Sequence, residues 1–444
     1  MGAMVNTRPR APPRMRHMFL MPLMSGLMRV IVAGAGIAGL TTALSLHAAG
    51  LEPLVLDPAR ELRPLGVGIN LLPHAVRELT ELGLAGQLAQ TGVETAEQAH
   101  FDRHGALIWG EPRGRALGYD WPQYSIHRGQ LQMILLRAVR ERLGEDAVRT
   151  GTEVTAFTDR EDAVEVHAAS RDGGPSSTLR ADALVGADGF YSAVRAQLHP
   201  GEAPPRWSGV LLWRGITEAK PFLTGATVAI CGSNAAAKFV AYPVARAGHA
   251  GVAVNWVAEA MIGGTEPPAR PDWTQAGRLA DVMTWFGDWK LDWLDVPGLI
   301  GGAPEILEYP MVDRDPLPWW GRGRVTLAGD AAHPMYPIGS NGGSQAIIDG
   351  RVLAASLAAC GGDVPAGLAA YEAARRETAN AIVLANRDMP GDRVLQEVAR
   401  RAPDGFGRIE DVLSDAELAV LRDAYRATSL QDTVALNTRP PYLP

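Results

Sequence analysis

The chain has 444 residues, of which 47% are hydrophobic, with 42 basic and 49 acidic side chains and two cysteines. This length can bury two or three domain cores, and a mild acidic excess without a run of like charge argues against nucleic-acid or membrane partners. Cys231 and Cys360 lie far apart and form no CxxC or Cys/His cluster. We therefore expect no disulfide framework and no metal site, and a cytoplasmic location.

The first 27 residues imitate a secretory signal, because four arginines precede an apolar run at residues 18–23. Residues 28–33 already have the pattern of a buried strand, which leaves little room for a cleavage site. We predict that residues 1–27 form a disordered extension. No apolar run approaches the ~20 residues that a membrane helix needs.

A strand, a glycine turn, a helix and a second strand open the ordered chain. The turn reads Gly34-Ala35-Gly36-Ile37-Ala38-Gly39, and the second strand ends at Asp57. In this GxGxxG pattern Gly34 permits a tight turn, Gly36 lets the backbone approach a pyrophosphate, and Gly39 lets the helix pack on the strand. Ile37 and Ala38 then begin a helix whose amino end faces the phosphates, and Asp57 is spaced to accept ribose hydroxyls. The pattern predicts a dinucleotide site.

A second motif, Gly186-Ala187-Asp188-Gly189, follows the apolar strand 183–185 and precedes Arg195. Alone it could be a β-turn followed by an exposed ion pair. After Arg195 the chain changes to short strand-like runs at 209–216, 228–231, 239–242 and 252–257, which predict an antiparallel sheet in a second domain.

That second domain is rich in tryptophan, and bulky aromatic side chains can line a pocket for a flat ligand. Trp213, Arg214, Tyr242 and Trp256 are the predicted substrate residues. Arg214 could pair with a substrate carboxylate or bridge two domains. The tryptophans from Trp273 to Trp293 are predicted to pack around helices instead.

A third motif, Gly329-Asp330-Ala331-Ala332-His333, ends the apolar strand 324–328. Asp330 could accept hydrogen bonds from ribityl hydroxyls, or merely cap a turn. The stiff loop that follows contains Pro337, Gly339, Asn341 and Gly342 and opens onto a helix, whose amino end would stabilise negative charge on a reduced flavin. This loop favours FAD over NAD as the bound dinucleotide. For His333 a structural hydrogen bond is expected rather than a role as base.

These motifs predict an α/β protein with a Rossmann-like FAD-binding domain, an inserted antiparallel substrate domain and a helical carboxyl terminus. The FAD-binding domain is predicted to comprise residues 28–98, 124–200 and 310–390. The substrate domain would take 99–123 and 201–309, and the helical tail 391–444.

From about Arg29 to Arg387 the chain resembles the single-component FAD-dependent aromatic hydroxylases of the para-hydroxybenzoate hydroxylase type. Within that family it is most similar to the phenazine hydroxylases, on the stretches 63–70, 122–129 and 309–318. The resemblance implies that NAD(P)H docks transiently and reduces FAD, and that O₂ then gives a flavin C4a-hydroperoxide that hydroxylates an aromatic or heteroaromatic ring, with or without loss of CO₂. No second GxGxxG is present, in keeping with transient docking.

The resemblance also implies roles for individual positions. Cofactor contacts are implied for Asp57, Arg63, Gly68, Ile69, Arg128, Asp188, Gly189, Arg195, Gly329 and Asp330, and catalytic positions beside the flavin ring for Arg63, Pro337 and Gly339. Epoxidation, Baeyer–Villiger insertion and a non-catalytic FAD protein that sequesters an aromatic metabolite stay open as alternatives. The expected partner is a small aromatic molecule, and the expected state is a monomer or a homodimer.

Overall fold

The computed structural model describes residues 27–171, 173–245, 251–267, 272–429 and 432–443. The predicted amino-terminal extension, except for residue 27, lies outside the described residues. The strands are β1 (Arg29–Ala33), β2 (Glu52–Leu56), β3 (Gly68–Leu71), β4 (Val93–Glu94), β5 (Glu97–Phe101), β6 (Leu107–Pro112), β7 (Tyr124–His127), β8 (Val148–Arg149), β9 (Thr152–Asp159), β10 (Val164–Ser170), β11 (Ser177–Ala181), β12 (Ala183–Gly186), β13 (Arg206–Ala219), β14 (Thr227–Gly232), β15 (Ala237–Pro243), β16 (Val252–Met261), β17 (Leu307–Asp313) and β18 (Val325–Leu327). The helices are α1 (Ile37–Ala48), α2 (Pro73–Glu81), α3 (Ala85–Thr91), α4 (Arg128–Leu143), α5 (Ala193–Leu198), α6 (Leu279–Phe286), α7 (Val296–Gly301), α8 (Asn341–Ala359), α9 (Val364–Arg387), α10 (Pro390–Arg401), α11 (Asp415–Ser429) and α12 (Thr433–Thr438).

A five-stranded parallel sheet in the order β18-β12-β1-β2-β8 forms the centre of the first domain. Val30, Ile31 and Val32 of β1 are fully buried, as expected for a parallel strand covered on both faces. The strands β18, β12 and β1 are neighbours, so their carboxyl ends meet at one edge. The three glycine motifs leave the sheet at that edge, which explains how fragments so distant in sequence come together.

The second domain is built on a seven-stranded sheet in the order β17-β13-β16-β15-β14-β5-β6, antiparallel except for the β5–β14 pair. One face packs on α6 and α7 around Trp213, Phe239, Trp256 and Phe286. The other face turns towards the parallel sheet. The predicted α/β fold with an inserted antiparallel sheet is confirmed, although β5 begins at residue 97 and β17 ends at residue 313, slightly beyond the predicted boundaries.

The carboxyl-terminal helices close one side of the second domain. Val394 and Leu395 of α10 and Tyr425 of α11 pack on Ile108 and Trp109 of β6. Within the described ranges, no helix combines the length and the apolar character needed to cross a bilayer.

The last helix is tied back onto α2. Arg77 donates to the carbonyl of Leu436 at 2.6 Å, and Arg439 pairs with Glu78. Smaller sheets, β11-β10-β9 and β3-β7-β4, complete the fold.

Candidate active site

The first glycine turn is built from backbone contacts. Gly34 has φ +102°, and a Cβ there would lie 2.4 Å from the carbonyl oxygen of Ala187, so the GAGIAG and GADG turns touch. A Cβ on Gly39 would lie only 1.9 Å from the carbonyl oxygen of Gly34. The Asp57 carboxylate accepts from the Ala35 N–H at 2.7 Å, which fixes the turn from the end of β2. Gly34 and Gly39 therefore shape the site and do not line the cavity.

Two helix amino termini open into the cavity without a capping side chain. The first is α1, whose N-cap is Gly36, and the second is α8, whose N-cap is Ser340. Uncapped amino termini leave backbone N–H groups without partners and carry partial positive charge. The residues at both ends, Gly36, Ile37 and Ala38 of α1 and Ser340, Asn341 and Gly342 of α8, line the cavity. This arrangement favours a ligand with a pyrophosphate at one point and an electron-rich ring edge at the other.

A buried ionic cluster holds the third motif in place. One oxygen of Asp349 accepts from the Gly329 N–H at 2.9 Å and contacts His333 Nε2 at 2.6 Å, while the other accepts from Arg375 Nε at 2.8 Å. Burial opposes the charge of Asp349, but His333, Arg375 and these hydrogen bonds outweigh it and lower its pKa to about 2. The cluster supports the left-handed Gly329 (φ +59°) and presents the exposed Asp330 carboxylate to the cavity. His333 has the structural role expected for it.

Asp188 and Arg195 are both held by contacts within the protein, and their cofactor contacts stay predictions. The Asp188 carboxylate accepts from Ser192 Oγ and from the Ala193 N–H, so it caps α5, and Asp188 is not part of the cavity lining. Arg195 is buried, and its guanidinium donates to the carbonyls of Ala331 and Ala332 at 2.9 and 3.0 Å and pairs with Glu202. Both residues position the loops around the cofactor site. A sequence motif does not reveal which way such side chains turn.

The three motifs and the second domain enclose a cavity of about 370 Å³. Many predicted site residues border it, namely Gly36, Ile37, Ala38, Gly68, Ile69, Arg128, Gly189, Arg214, Tyr242, Asp330, Pro337, Gly339, Asn341 and Gly342. Arg63 does not, because its side chain is exposed and forms an ion pair with Glu61 at 2.6 Å. Asp57 and Gly329 lie one layer behind the lining.

Strand alternation divides the predicted substrate residues. Arg214 and Tyr242 face the cavity, whereas Trp213 and Trp256 are buried on the opposite face of the same sheet. The prediction that both tryptophans line the pocket is wrong, since neighbouring residues of a strand point to opposite faces. Trp213 Nε1 donates to Glu308 at 2.6 Å and Trp256 Nε1 to Thr217 at 3.1 Å, so both indoles are satisfied within the core.

Arg214 and Tyr242 connect the two domains through one carbonyl. The Arg214 guanidinium donates to the Gly68 oxygen at 2.6 Å, and the Tyr242 hydroxyl donates to it at 2.8 Å. Asn255 accepts from the Gly68 N–H at 2.6 Å. Burial raises the pKa of Tyr242, which keeps it a neutral donor. Of the two roles open for Arg214, the structure shows the domain bridge.

Sequence reasoning missed the far end of the cavity. Its polar lining is Gln98, His100, Lys238, Glu259, Asp392 and Tyr425, and its apolar lining includes Val228, Ile230, Val240, Val257 and Leu395. Two signals were available: a charged residue interrupts each of the apolar strands β15 and β16, and Lys238 is one of only three lysines in the chain, with Lys220 and Lys290.

The lining fits FAD. A Cβ built on Gly36 or Gly189 meets nothing within 4 Å, so open space lies where a pyrophosphate would approach the α1 terminus. Asp330 offers a carboxylate beside it, and the loop 337–343 offers backbone with few side chains. The site therefore has an anion cradle, a hydroxyl acceptor and a flat wall, in the order in which FAD carries its pyrophosphate, its ribityl hydroxyls and its ring.

Comparisons with known proteins agree with this geometry. The family model "FAD binding domain" matches residues 28–275 and 316–386. The chain belongs to this family. It is 47% identical to phenazine 1,6-dicarboxylic acid hydroxylase of Lysobacter antibioticus over 90% of this chain and 96% of that protein. It is also 33% identical to 3-hydroxybenzoate 6-hydroxylase 1 of Aquipseudomonas alcaligenes, over 74% and 80% of the two chains.

Among solved structures, Klebsiella pneumoniae HpxO in complex with FAD and uric acid superposes with a TM-score of 0.71 at 24% identity, over 90% of this chain and 96% of that chain. This likeness shows the shared fold. The family match and the relatives make the protein an FAD-dependent aromatic hydroxylase that uses NAD(P)H and O₂. The predicted family and cofactors are confirmed.

Proposed function

We propose that the substrate is a phenazine-type aromatic carboxylic acid, which this enzyme hydroxylates with NAD(P)H and O₂. The 47% identity to a phenazine dicarboxylate hydroxylase, spread over nearly the whole of both chains, carries the proposal. Bound FAD would accept electrons from NAD(P)H and activate O₂. Everything else in the reaction depends on how the protein's own residues hold and shield the ring.

The protein contributes positioning, water exclusion and electrostatic stabilisation. The N–H groups at the start of α8, with Pro337 and Gly339 before them, would stabilise negative charge on the pyrimidine side of the flavin. Val228, Ile230, Val240 and Val257 provide an apolar wall against which a flat ring packs and from which water is excluded. Arg214 and Tyr242 hold Gly68, and hence β3, in register with this wall. These contacts orient the ring carbon for oxygen transfer.

Two arginines have proposed cofactor roles, one outside the cavity and one in its lining. Arg63 is exposed in the segment between β2 and β3, and its charge would attract the phosphates of an incoming NAD(P)H. Arg128 lines the cavity at the start of α4, where it would pair with the FAD pyrophosphate. We expect a cytoplasmic enzyme, because the reaction needs NAD(P)H and the two cysteines are free thiols. We expect it to act as a monomer or a homodimer.

The decisive experiment measures NAD(P)H and O₂ consumption by the holoenzyme with a panel of phenazine and benzoic acids, and identifies products by mass. We expect a phenazine acid to stimulate oxidation and to gain one oxygen. Release of CO₂ with that gain would assign decarboxylative hydroxylation, and gain of oxygen with the carboxylate retained would assign simple ring hydroxylation. Stimulation by benzoic acids but by no phenazine would refute the proposed substrate class. Light scattering during size exclusion would determine the oligomeric state.

A further inference from the structure

The end of the cavity remote from the flavin contains a buried ammonium group. Lys238 is 7% exposed and lies on β15, and its Nζ is 3.0 Å from Glu259 and 3.9 Å from Asp392. Burial opposes its charge, but the two carboxylates outweigh burial and raise the pKa of Lys238. A charged lysine in such a place needs a reason, because charges are rarely buried without a partner or a function.

The position of Lys238 is set by strand geometry. Tyr242, at the flavin end, lies four residues further along β15 and faces the same way. At 3.2–3.4 Å per residue, the two side chains leave the strand roughly 13 Å apart. Val240 lies between them, flanked by Ile230 and Val257 on the neighbouring strands. The chamber is thus an apolar strip longer than a single six-membered ring, with a polar group at its far end.

The hydrogen-bonding groups at this end include donors of Lys238 that the neighbouring carboxylates do not use. Asp392 is occupied, since it accepts from the Asn234 N–H at 2.9 and 3.0 Å and from Gln396 at 2.7 Å. Glu259 Oε2 lies 3.0 Å from Lys238 Nζ and forms no further hydrogen bond in the described part of the chain. An ammonium group has three donors, and Asp392, at 3.9 Å, is beyond hydrogen-bond distance of it. Lys238 can therefore donate to a ligand as well.

His100 adds a second donor on the adjacent wall. It is 1% exposed and stacks on Trp109 with ring centroids 3.4 Å apart. Gln98 donates to Tyr425 and faces His100 Nε2 at 3.3 Å, which assigns the proton to Nδ1. Nδ1 is buried and has no hydrogen-bond partner in the described part of the chain. Burial lowers the pKa of His100 well below its usual value, so the ring is neutral and offers one N–H.

The charge balance permits an anion. Arg113 lies with its guanidinium 5.7 Å from the Tyr425 ring centroid and pairs with Glu111, which also pairs with Arg426. Arg426 also pairs with Asp423, which in turn lies 4.0 Å from Arg422. The four basic groups Lys238, Arg113, Arg426 and Arg422 balance the four acidic groups Glu259, Asp392, Glu111 and Asp423. Within this neutral cluster the ammonium donors of Lys238 favour an acceptor with negative charge.

We propose that Lys238, assisted by His100, binds a carboxylate at the end of the substrate remote from the flavin, and so selects flat aromatic acids with an acidic group at that end. The inference rests on the proposed function and adds the residue that recognises the acid. Glu259 holds the ammonium at the wall of the chamber and competes with a substrate carboxylate for it.

The test compares ligand dissociation constants and needs no turnover. Holoenzyme is titrated with phenazine-1,6-dicarboxylic acid and with unsubstituted phenazine, and binding is followed by flavin absorbance. The double variant Lys238→Met/Glu259→Gln removes both charges of the close ion pair, and Asp392 keeps its hydrogen bonds from the Asn234 N–H and from Gln396. We expect it to bind the dicarboxylate about 10- to 100-fold more weakly and phenazine within about twofold of the wild type. Lys220→Met, at an exposed lysine, is the matched control and should change neither constant.

Glu259→Gln alone provides a test of opposite sign. Because it removes the competitor and keeps the ammonium, it should bind the dicarboxylate more tightly than the wild type. Equal weakening of both ligands in the double variant, unchanged dicarboxylate binding, or weaker binding by Glu259→Gln would each overturn the proposal, as would a wild type that binds no aromatic acid. Failure of the proposed function is distinct: it would appear as acid binding that Lys238 controls without stimulation of NAD(P)H oxidation.

Discussion

Replacing each of two glycines in one turn by alanine should impair different properties, folding stability for Gly34 and FAD affinity for Gly36. At Gly34, φ is +102° and an added Cβ would lie 2.4 Å from the oxygen and 2.8 Å from the carbon of the Ala187 carbonyl. The left-handed backbone costs about 1–2 kcal/mol, and the forced displacement of backbone about 1–3 kcal/mol more. Gly34→Ala should therefore lose roughly 2–5 kcal/mol of a total stability of about 5–15 kcal/mol.

Gly36→Ala should spare the fold and impair the cofactor site. Gly36 has φ −73°, and a Cβ there meets no atom within 4 Å, so the apoprotein should lose less than about 1 kcal/mol. The methyl group would occupy the space where a pyrophosphate approaches α1. FAD should bind at least tenfold more weakly, a loss of about 1.4 kcal/mol.

Urea unfolding of the apoprotein, followed by circular dichroism, and titration with FAD measure the two effects separately. Gly50→Ala is the control, because Gly50 also has positive φ (+76°) but open space around its Cβ. It should lose only the backbone cost, about 1 kcal/mol. If Gly34→Ala lost no more unfolding free energy than Gly50→Ala, the contact between the two turns would not explain why residue 34 is a glycine. A Gly36→Ala protein with normal FAD affinity would refute the assignment of the cradle.

Further outcomes follow from the surroundings of other residues. Because the pKa of Asp349 is lowered, its ionised form contributes stability above the ordinary pKa of 3.8. About 2 kcal/mol of the unfolding free energy should be lost as the pH falls from about 4 towards 2. Acid titration of Asp349→Asn should lack this loss. Arg195→Met leaves Glu202 without this partner, so it should lower the free energy of unfolding in urea by about 3–5 kcal/mol. It should also weaken FAD binding, because Arg195 positions the loop at residues 331 and 332. Arg63→Ala should change the unfolding free energy by no more than ~0.5 kcal/mol, since the ion pair with Glu61 is exposed. The proposed docking role predicts that it raises the KM for NAD(P)H. Trp256→Phe should lower thermal stability while the substrate KM stays unchanged, because the indole lies behind the sheet.

The nucleotide half of the cavity could be predicted because its determinants are local. A glycine at a strand end, with an acid at the end of the next strand, specifies a turn whatever surrounds it. Gly34 has the positive φ that such a turn needs, and Gly36 and Asp330 line the cavity. The meeting of the three motifs at one sheet edge follows from strand order, which a parallel α/β pattern already favours. Local rules were sufficient for this half.

The errors have a common physical origin, which is side-chain direction. Trp213 and Trp256 were placed in the pocket although a shift of one residue along a strand reverses the face. The Asp188 carboxylate and the Arg195 guanidinium are held by α5 and by the carbonyls of residues 331 and 332, and their cofactor contacts stay predictions. Register and tertiary partners decide these directions, and neither can be read from a short motif.

The far end of the cavity was missed because its residues come from segments with no local signature in common. Lys238 and Glu259 come from neighbouring strands, Gln98 and His100 from a strand far upstream, and Tyr425 from the carboxyl-terminal helices. The two halves of the cavity thus differ in kind: one is made of backbone at glycine turns, and the other of side chains on a sheet face. Side chains can be exchanged there without disturbing the turns. Substitutions at the far end should therefore change which aromatic acid binds while FAD content stays constant, and loss of flavin from such variants would mean that the two halves are coupled.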